Sequence, residues 1–209
     1  VFRPKLRSIG IFMGGTDPDG ISARVLAACR AAGFAGAVEV VSTSANPHLN
    51  ALREVCAANA AVTLTLDQPD LAAFFARHDL QIGAGGGATW ERCCIGAPTI
   101  AIAVAANQSA VVPGRASRGA VRAATEHTLA DVLRELIADP AQRQSLAQTA
   151  AALVDGRGAQ RVALHLLRDT LAYADRTLGA STTDLARETA RLSELDESKP
   201  SRALRLALV

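Results

Sequence analysis

The sequence predicts an α/β fold, a parallel sheet with helices on both faces. Three observations carry that expectation. Short apolar runs alternate with segments of helical spacing along most of the chain. Aromatic residues make up only 3% of the 209 residues, so Ala, Val, Leu and Ile supply most of a hydrophobic content of 49%, which suits helix-on-sheet packing. Two glycine clusters fall where a strand hands over to a helix. Strands joined through helices need right-handed crossovers, and a sheet buried on both faces satisfies them.

Residues 8–13 form a short apolar run ending in Gly14-Gly15, and residues 21–32 follow with Ile21, Val25, Leu26 and Cys29 on one helical face. Residues 38–42 read as a second strand. Pro47 then precedes a helix over 49–58 with Leu49, Leu52 and Cys56 inward, in keeping with proline's place near a helix start. Residues 62–66 are the third strand. Asp67-Gln68-Pro69-Asp70 caps a helix that turns Leu71, Phe74 and Phe75 to the core. A fourth strand over 79–82 runs into Gly83-Ala84-Gly85-Gly86-Gly87, a helix over 89–95 follows, and 99–104 is the fifth strand. Helices over 129–138 and 140–169, the latter interrupted by Gly156 and Gly158, close a Rossmann-like unit. From about Thr170 the composition turns polar. One amphipathic helix (Leu185, Thr189, Leu192) and a break at Glu197-Ser198-Lys199-Pro200 mark residues 170–209 as a peripheral tail.

The net charge of +2, with arginines scattered among acids, gives no electrostatic footprint for nucleic acid. Cys29, Cys56, Cys93 and Cys94 have neither CxxC pairing nor histidines at zinc spacing, so free thiols in a reducing cytoplasm are expected and no metal. The first residues lack a hydrophobic targeting core. The longest apolar run, 95–106, is broken by Gly96 and Pro98, so no membrane span is expected and the protein is placed in the cytoplasm. The chain opens at Val1 and reaches a strand within a few residues, the look of a piece of something longer.

The first candidate site is Gly14-Gly15-Thr16-Asp17-Pro18-Asp19-Gly20. Glycines there permit positive φ and let a phosphate approach main-chain amides at a helix N-terminus, while Thr16 adds a hydroxyl. The plain alternative is a tight turn in which Asp17 caps the helix. The second candidate, Gly83-Ala84-Gly85-Gly86-Gly87-Ala88-Thr89-Trp90-Glu91, opens a helix at the same end of strand four, and two such turns suit a diphosphate. Neither has GxGxxG or GxxxxGK[ST] spacing, which counts against nicotinamide and ATP-hydrolysis readings. Glu91 is either a first-turn acid favouring the helix dipole or an acceptor for both ribose hydroxyls. Trp90 is read as packing. Asn107 and Gln108 end the fifth strand and present neutral amides for sugar or phosphate, or simply form a loop. His48, His127 and His165 fall on predicted helices or their entrances and His78 precedes a strand, so none is expected beside a glycine turn. No catalytic residue and no cofactor is assigned.

The segment Ile82-Gly83-Ala84-Gly85-Gly86-Gly87-Ala88-Thr89-Trp90-Glu91-Arg92-Cys93-Cys94-Ile95-Gly96-Ala97-Pro98 strongly resembles one stretch of the UDP-2,4-diacetamido-2,4,6-trideoxy-β-L-altropyranose hydrolases of pseudaminic acid biosynthesis. Phe12-Met13-Gly14-Gly15-Thr16-Asp17-Pro18 and Ala106-Asn107-Gln108 match further motifs of that family, and the resemblance runs in order over roughly residues 7–169. More distantly the layout is similar to the C-terminal domain of the peptidoglycan N-acetylglucosaminyltransferase, a GT-B fold. The resemblance implies that Gly14, Gly15 and Thr16 face the diphosphate of UDP or a UDP-sugar. It implies that Gly86, Gly87, Ala88 and Thr89 support that group, Glu91 holds the ribose, and Asn107 and Gln108 reach the sugar-phosphate end. Backbone near Asp67 and Gln68 would frame the uracil. The family's histidine base belongs to an N-terminal domain, whose Gly-x-Gly-His motif is missing here. The chain also departs from the family after β-strand five: Ala105 and Ala106 replace an acid before the Asn-Gln pair, and residues 109–124 are short.

The expectation is therefore the UDP-sugar-binding half (residues 1–169) of a hydrolase that releases UDP and a free diacetamido sugar once joined to its missing N-terminal domain. Alone it is expected to turn over nothing. An inverting GT-B glycosyltransferase with the same half-site is one alternative, and a non-catalytic UDP-binding or assembly module docking through residues 184–195 is another.

Overall fold

A computed structural model describes residues 2–178 and Arg187, and the chain divides into two compact units, Val1–Val154 and Asp155–Val209. The boundary expected at 169 falls inside a helix of the second unit. Residues of the expected tail helix other than Arg187 lie outside the described part.

The first unit runs β1 (Ser8–Phe12), α1 (Ile21–Ala31), β2 (Ala37–Ser42), α2 (Leu49–Ala57), β3 (Val62–Leu66), α3 (Leu71–Arg77), β4 (Leu80–Ala84), α4 (Ala88–Ile95) and β5 (Thr99–Ile102). A 3-10 turn (Ala106–Gln108), α5 (Val111–Ser117), β6 (Arg122–Ala124), α6 (Leu129–Ala138) and α7 (Pro140–Leu153) complete it. All strands are parallel, in the order β3-β2-β1-β4-β5-β6, which is the α/β Rossmann-like sheet the sequence predicts.

Side chains alternate across the strands as a two-sided sheet requires. Ile9, Ile11, Val38, Val40, Leu80, Ile82, Ile100 and Ile102 point to one face, where they meet Val25 and Leu26 of α1, Leu52 of α2 and Leu133 and Leu136 of α6. On the other face Val41 packs with Phe74 and Phe75 of α3, and Ala101 with Cys93 of α4, Val112 of α5 and Ala150 of α7. Each fully buried Val, Leu, Ile or Phe contributes about 1.5–3 kcal/mol of transfer free energy, so this double layer is the main source of stability.

Two glycines inside strands let polar side chains lie flat on the second face. A Cβ on Gly10 would stand 2.6 Å from the Gln81 amide, which donates to the carbonyls of Phe74 and Phe75 at 3.3 and 3.2 Å. Gly83 does the same for Arg92.

The stretch read as shortened, 109–124, forms α5 and the sixth strand, so the sheet has six strands rather than five. Pro113 and Gly114 hid α5, yet Pro113 sits in its first turn, where its missing N–H costs nothing. β6 is three residues of Arg-Ala-Ala, too short and too little apolar to announce a strand.

At the amino ends of the strands the chain is fastened by charge. Asp79 accepts from the amides of Arg7 (2.8 Å) and Ser8 (2.9 Å) and pairs with Arg3. The buried Arg143 of α7 donates to the carbonyls of Leu136 and Pro4, closing the α6 C-terminus. The second unit, as far as described, is α8 (Gly158–Leu178), preceded by Asp155, which accepts from the Arg157 amide at 3.0 Å and pairs with Arg161. Among the described residues no helix is long and apolar enough to cross a membrane.

Candidate functional site

Strand order reverses between β1 and β4, since β2 and β3 extend to one side and β5 and β6 to the other. Such a switch point leaves a crevice beyond the carboxyl ends of the strands, where open α/β sheets bind ligands. Phe12 and Gly83 are register partners across this pair. Neighbouring strands lie about 4.8 Å apart, so the two glycine turns leave the sheet side by side.

In the first turn Gly14 has φ +99°, in the range that favours glycine, and the Thr43 hydroxyl holds the Gly15 carbonyl at 2.6 Å. The planar peptide sends the Thr16 amide the opposite way. The amides of Gly14, Gly15 and Thr16 find no acceptor among the described residues, and the Thr16 side chain is exposed.

Asp17 is different. It is buried, and its two carboxylate oxygens accept from the amides of Ile21 (2.8 Å) and Ser22 (2.9 Å). This corrects the expectation that Asp17 and the start of α1 face a ligand. The positive end of α1 already holds a carboxylate, and a phosphate there would meet a like charge.

The second turn is built from behind. Gly85 is enclosed: its amide donates to the Ile102 carbonyl (2.9 Å) and the Gln108 side-chain oxygen (3.2 Å), and a Cβ would strike Val112 at 2.1 Å. Thr89 is buried as well, its hydroxyl donating to the Ala84 carbonyl at 3.1 Å. Gly85 and Thr89 therefore shape the turn from inside rather than lining the crevice. Gly86, Gly87 and Ala88 are the residues whose amides find no acceptor among the described residues, and a Cβ on Gly87 would meet open space.

Glu91 lies one turn into α4, half-buried, with no hydrogen bond or ion pair among the described residues. Burial raises its pKa; Arg92 opposes that and the nearby Asp70 adds to it. Gln108 turns its oxygen to the amides of Gly85 and Val104 (3.0 Å), leaving its NH2 group on the Gly86 side, while Asn107 is exposed on the 3-10 turn. Asp67, at φ +53°, accepts from the Ser44 amide at 2.9 Å and ties the ends of β2 and β3 together.

Three neighbours of the crevice were not expected. His48, read as remote from both turns, reaches the Pro18 carbonyl at 2.7 Å and packs on Gly20. Arg92, fully buried, donates to the Ala84 carbonyl (2.7 Å) and Thr89 hydroxyl (2.9 Å) and stacks over Phe75. Arg115 of α5 donates to the Gly85 carbonyl at 2.6 Å and lies 4.1 Å over the Trp90 ring. The sequence signal for Arg92 was Gly83 itself, because glycine within a strand marks a close approach. Arg115 gave none.

No family model matches the chain. Its fold is of a class that solved glycosyltransferases and sugar-nucleotide epimerases contain. The UDP-GlcNAc 2-epimerase from Neisseria meningitidis, solved with UDP-GlcNAc, is similar at TM-score 0.62 and 16% identity, over 77% of this chain and 44% of that one. WaaG, a glycosyltransferase of lipopolysaccharide biosynthesis, is similar at TM-score 0.56 and 19% identity, over 72% and 44%. In sequence the chain is similar to one particular protein, SpsG, a spore coat polysaccharide biosynthesis protein of Bacillus subtilis (strain 168), at 28% identity over 164 residues. That match covers 75% of this chain and 48% of SpsG, so the chain spans about half the length of its curated relative.

Proposed function

We propose that the chain is the UDP-binding half of a two-domain protein that takes a UDP-sugar and transfers its sugar. The observation carrying this is the pair of turns at the switch point, each presenting main-chain amides without an acceptor among the described residues, Gly14 to Thr16 on one side and Gly86 to Ala88 on the other. Such amides suit a diphosphate, and the N-terminus of α4 adds partial positive charge worth about 0.3–1 kcal/mol. In this reading Thr16 donates its hydroxyl to a phosphate oxygen. Glu91 accepts the ribose hydroxyls, a use consistent with a carboxylate that has no hydrogen-bond or ion-pair partner among the described residues. Asn107 and the NH2 group of Gln108 reach the sugar-phosphate side.

Transfer is favoured over other chemistry by WaaG among the similar structures and by the polysaccharide role in the name of SpsG. A second domain is supported by coverage of only 48% and 44% of the similar chains. That domain would bring the acceptor and the catalytic groups, and this half would hold the leaving nucleotide. The hydrolase reading keeps one specific support, the Trp90-Glu91-Arg92-Cys93-Cys94 segment.

Calorimetric titration of the chain with UDP tests the proposal, and binding is expected. No heat with UDP, together with binding of a protein partner, would favour the assembly module instead. Pairing the chain with the domain encoded before it separates the two reactions: a glycoside product indicates transfer, and a free sugar beside UDP indicates hydrolysis.

A further inference from the structure

Arg92 and Arg115 are 0% and 7% exposed, and among the described residues neither forms an ion pair. Arg92 Nε and Nη1 and Arg115 Nε have no hydrogen-bond partner among the described residues. A buried guanidinium without a carboxylate is costly, and where buried Arg143 meets that cost by closing α6, Arg92 and Arg115 sit behind a glycine turn. Both reach the same short segment. Arg92 takes the Ala84 carbonyl, and Arg115 takes the Gly85 carbonyl and, at 3.4 Å, that of Gly86. In a planar trans peptide the carbonyl of one residue and the amide of the next point in opposite directions. Carbonyls drawn inward at Gly85 and Gly86 therefore turn the amides of Gly86 and Gly87 out to the crevice.

We propose that Arg92 and Arg115 are positioning residues for a diphosphate group, fixing the amides of the second glycine turn from behind and lending positive charge to the crevice. Neither guanidinium touches the ligand. Their field acts through the thickness of one peptide layer, where low dielectric keeps it strong. Burial lowers the Arg92 pKa to about 10, which still leaves it charged at neutral pH. The inference takes its ligand class from the UDP reading, but it concerns only the diphosphate, so the two can fail separately.

The test is calorimetric titration of the chain and of Arg115→Met and Arg115→Lys with pyrophosphate and, separately, with uridine. Arg115→Met is expected to lose at least tenfold in pyrophosphate affinity with uridine unchanged. Arg115→Lys, which keeps the charge but not the planar fork over Trp90, is expected to lose less pyrophosphate affinity than Arg115→Met. Wild-type protein that ignores pyrophosphate overturns the inference, as does an Arg115→Met protein that binds it normally or loses pyrophosphate and uridine alike. If Arg115→Met fails to fold, Arg115→Gln replaces it, keeping a donor for the Gly85 carbonyl without the charge: a loss of at least threefold for pyrophosphate with uridine unchanged supports the inference, and normal pyrophosphate binding or an equal loss of both ligands overturns it. Pyrophosphate binding without any preference for UDP would sink the nucleotide reading and leave this one standing.

Discussion

Phe12 and Gly83 face each other across the β1–β4 pair, and a Cβ on Gly83 would sit 2.6 Å from the Phe12 carbonyl oxygen and 2.1 Å from Arg92 Nη1. The glycine thus serves the arginine behind the crevice, and the crevice itself depends on glycines two to four residues later.

Gly83→Ala and Gly85→Ala are expected to destabilise the fold by about 1–3 kcal/mol each through overpacking, because Arg92 and Val112 already fill the space. Gly87→Ala meets nothing within 4 Å and has an ordinary helical φ, so its melting temperature should match wild type. Its methyl group enters the crevice, so UDP affinity should fall. Thermal melts beside calorimetry separate the two classes.

Glu91→Ala should weaken UDP binding by about 1.5–3 kcal/mol if a ribose is held there, since hydrogen bonds to a charged acceptor are of that size. A variant that changes only thermal stability would mark Glu91 as a helix-dipole acid and remove it from the site.

Asp17→Ala should cost about 0.5–2 kcal/mol, because two first-turn amides of α1 lose their acceptor. UDP affinity should hold or rise, since a negative charge beside the crevice is gone. A drop in affinity at unchanged stability would return Asp17 to the ligand.

Glu39 sets an acid limit. Burial alone would raise its pKa, but hydrogen bonds from Arg77, Thr65 and His78 outweigh it and hold the carboxyl at about 2. In the unfolded chain it titrates near 4.5, so the unfolded state binds the proton first. The stabilisation is complete above that pH and is lost as pH falls towards 2. Glu39→Gln should lower the melting temperature at pH 7 and flatten its decline between pH 4.5 and 2.

The sheet was legible because buried parallel strands such as Ile9–Ile11 and Ile100–Ile102 write themselves as apolar runs between glycine turns. Both turns could likewise be placed, since a strand that ends in Gly-Gly before a helix has few other uses. What stayed hidden was direction. Local sequence left Asp17 two uses, ligand contact or helix cap, without choosing between them, and nothing in it says that Thr89 looks inward. Arg115 was invisible because its partners are carbonyls thirty residues away, and α5 because Pro113 and Gly114 resemble a loop.

The second glycine turn is gripped by its carbonyls, from Arg92 of α4 and Arg115 of α5, because Gly85, Gly86 and Gly87 offer no side chains to hold. Its contour is thus set in part by a helix some thirty residues further on, and sequence drift in α5 alone can reshape the rim while the glycines stay as they are.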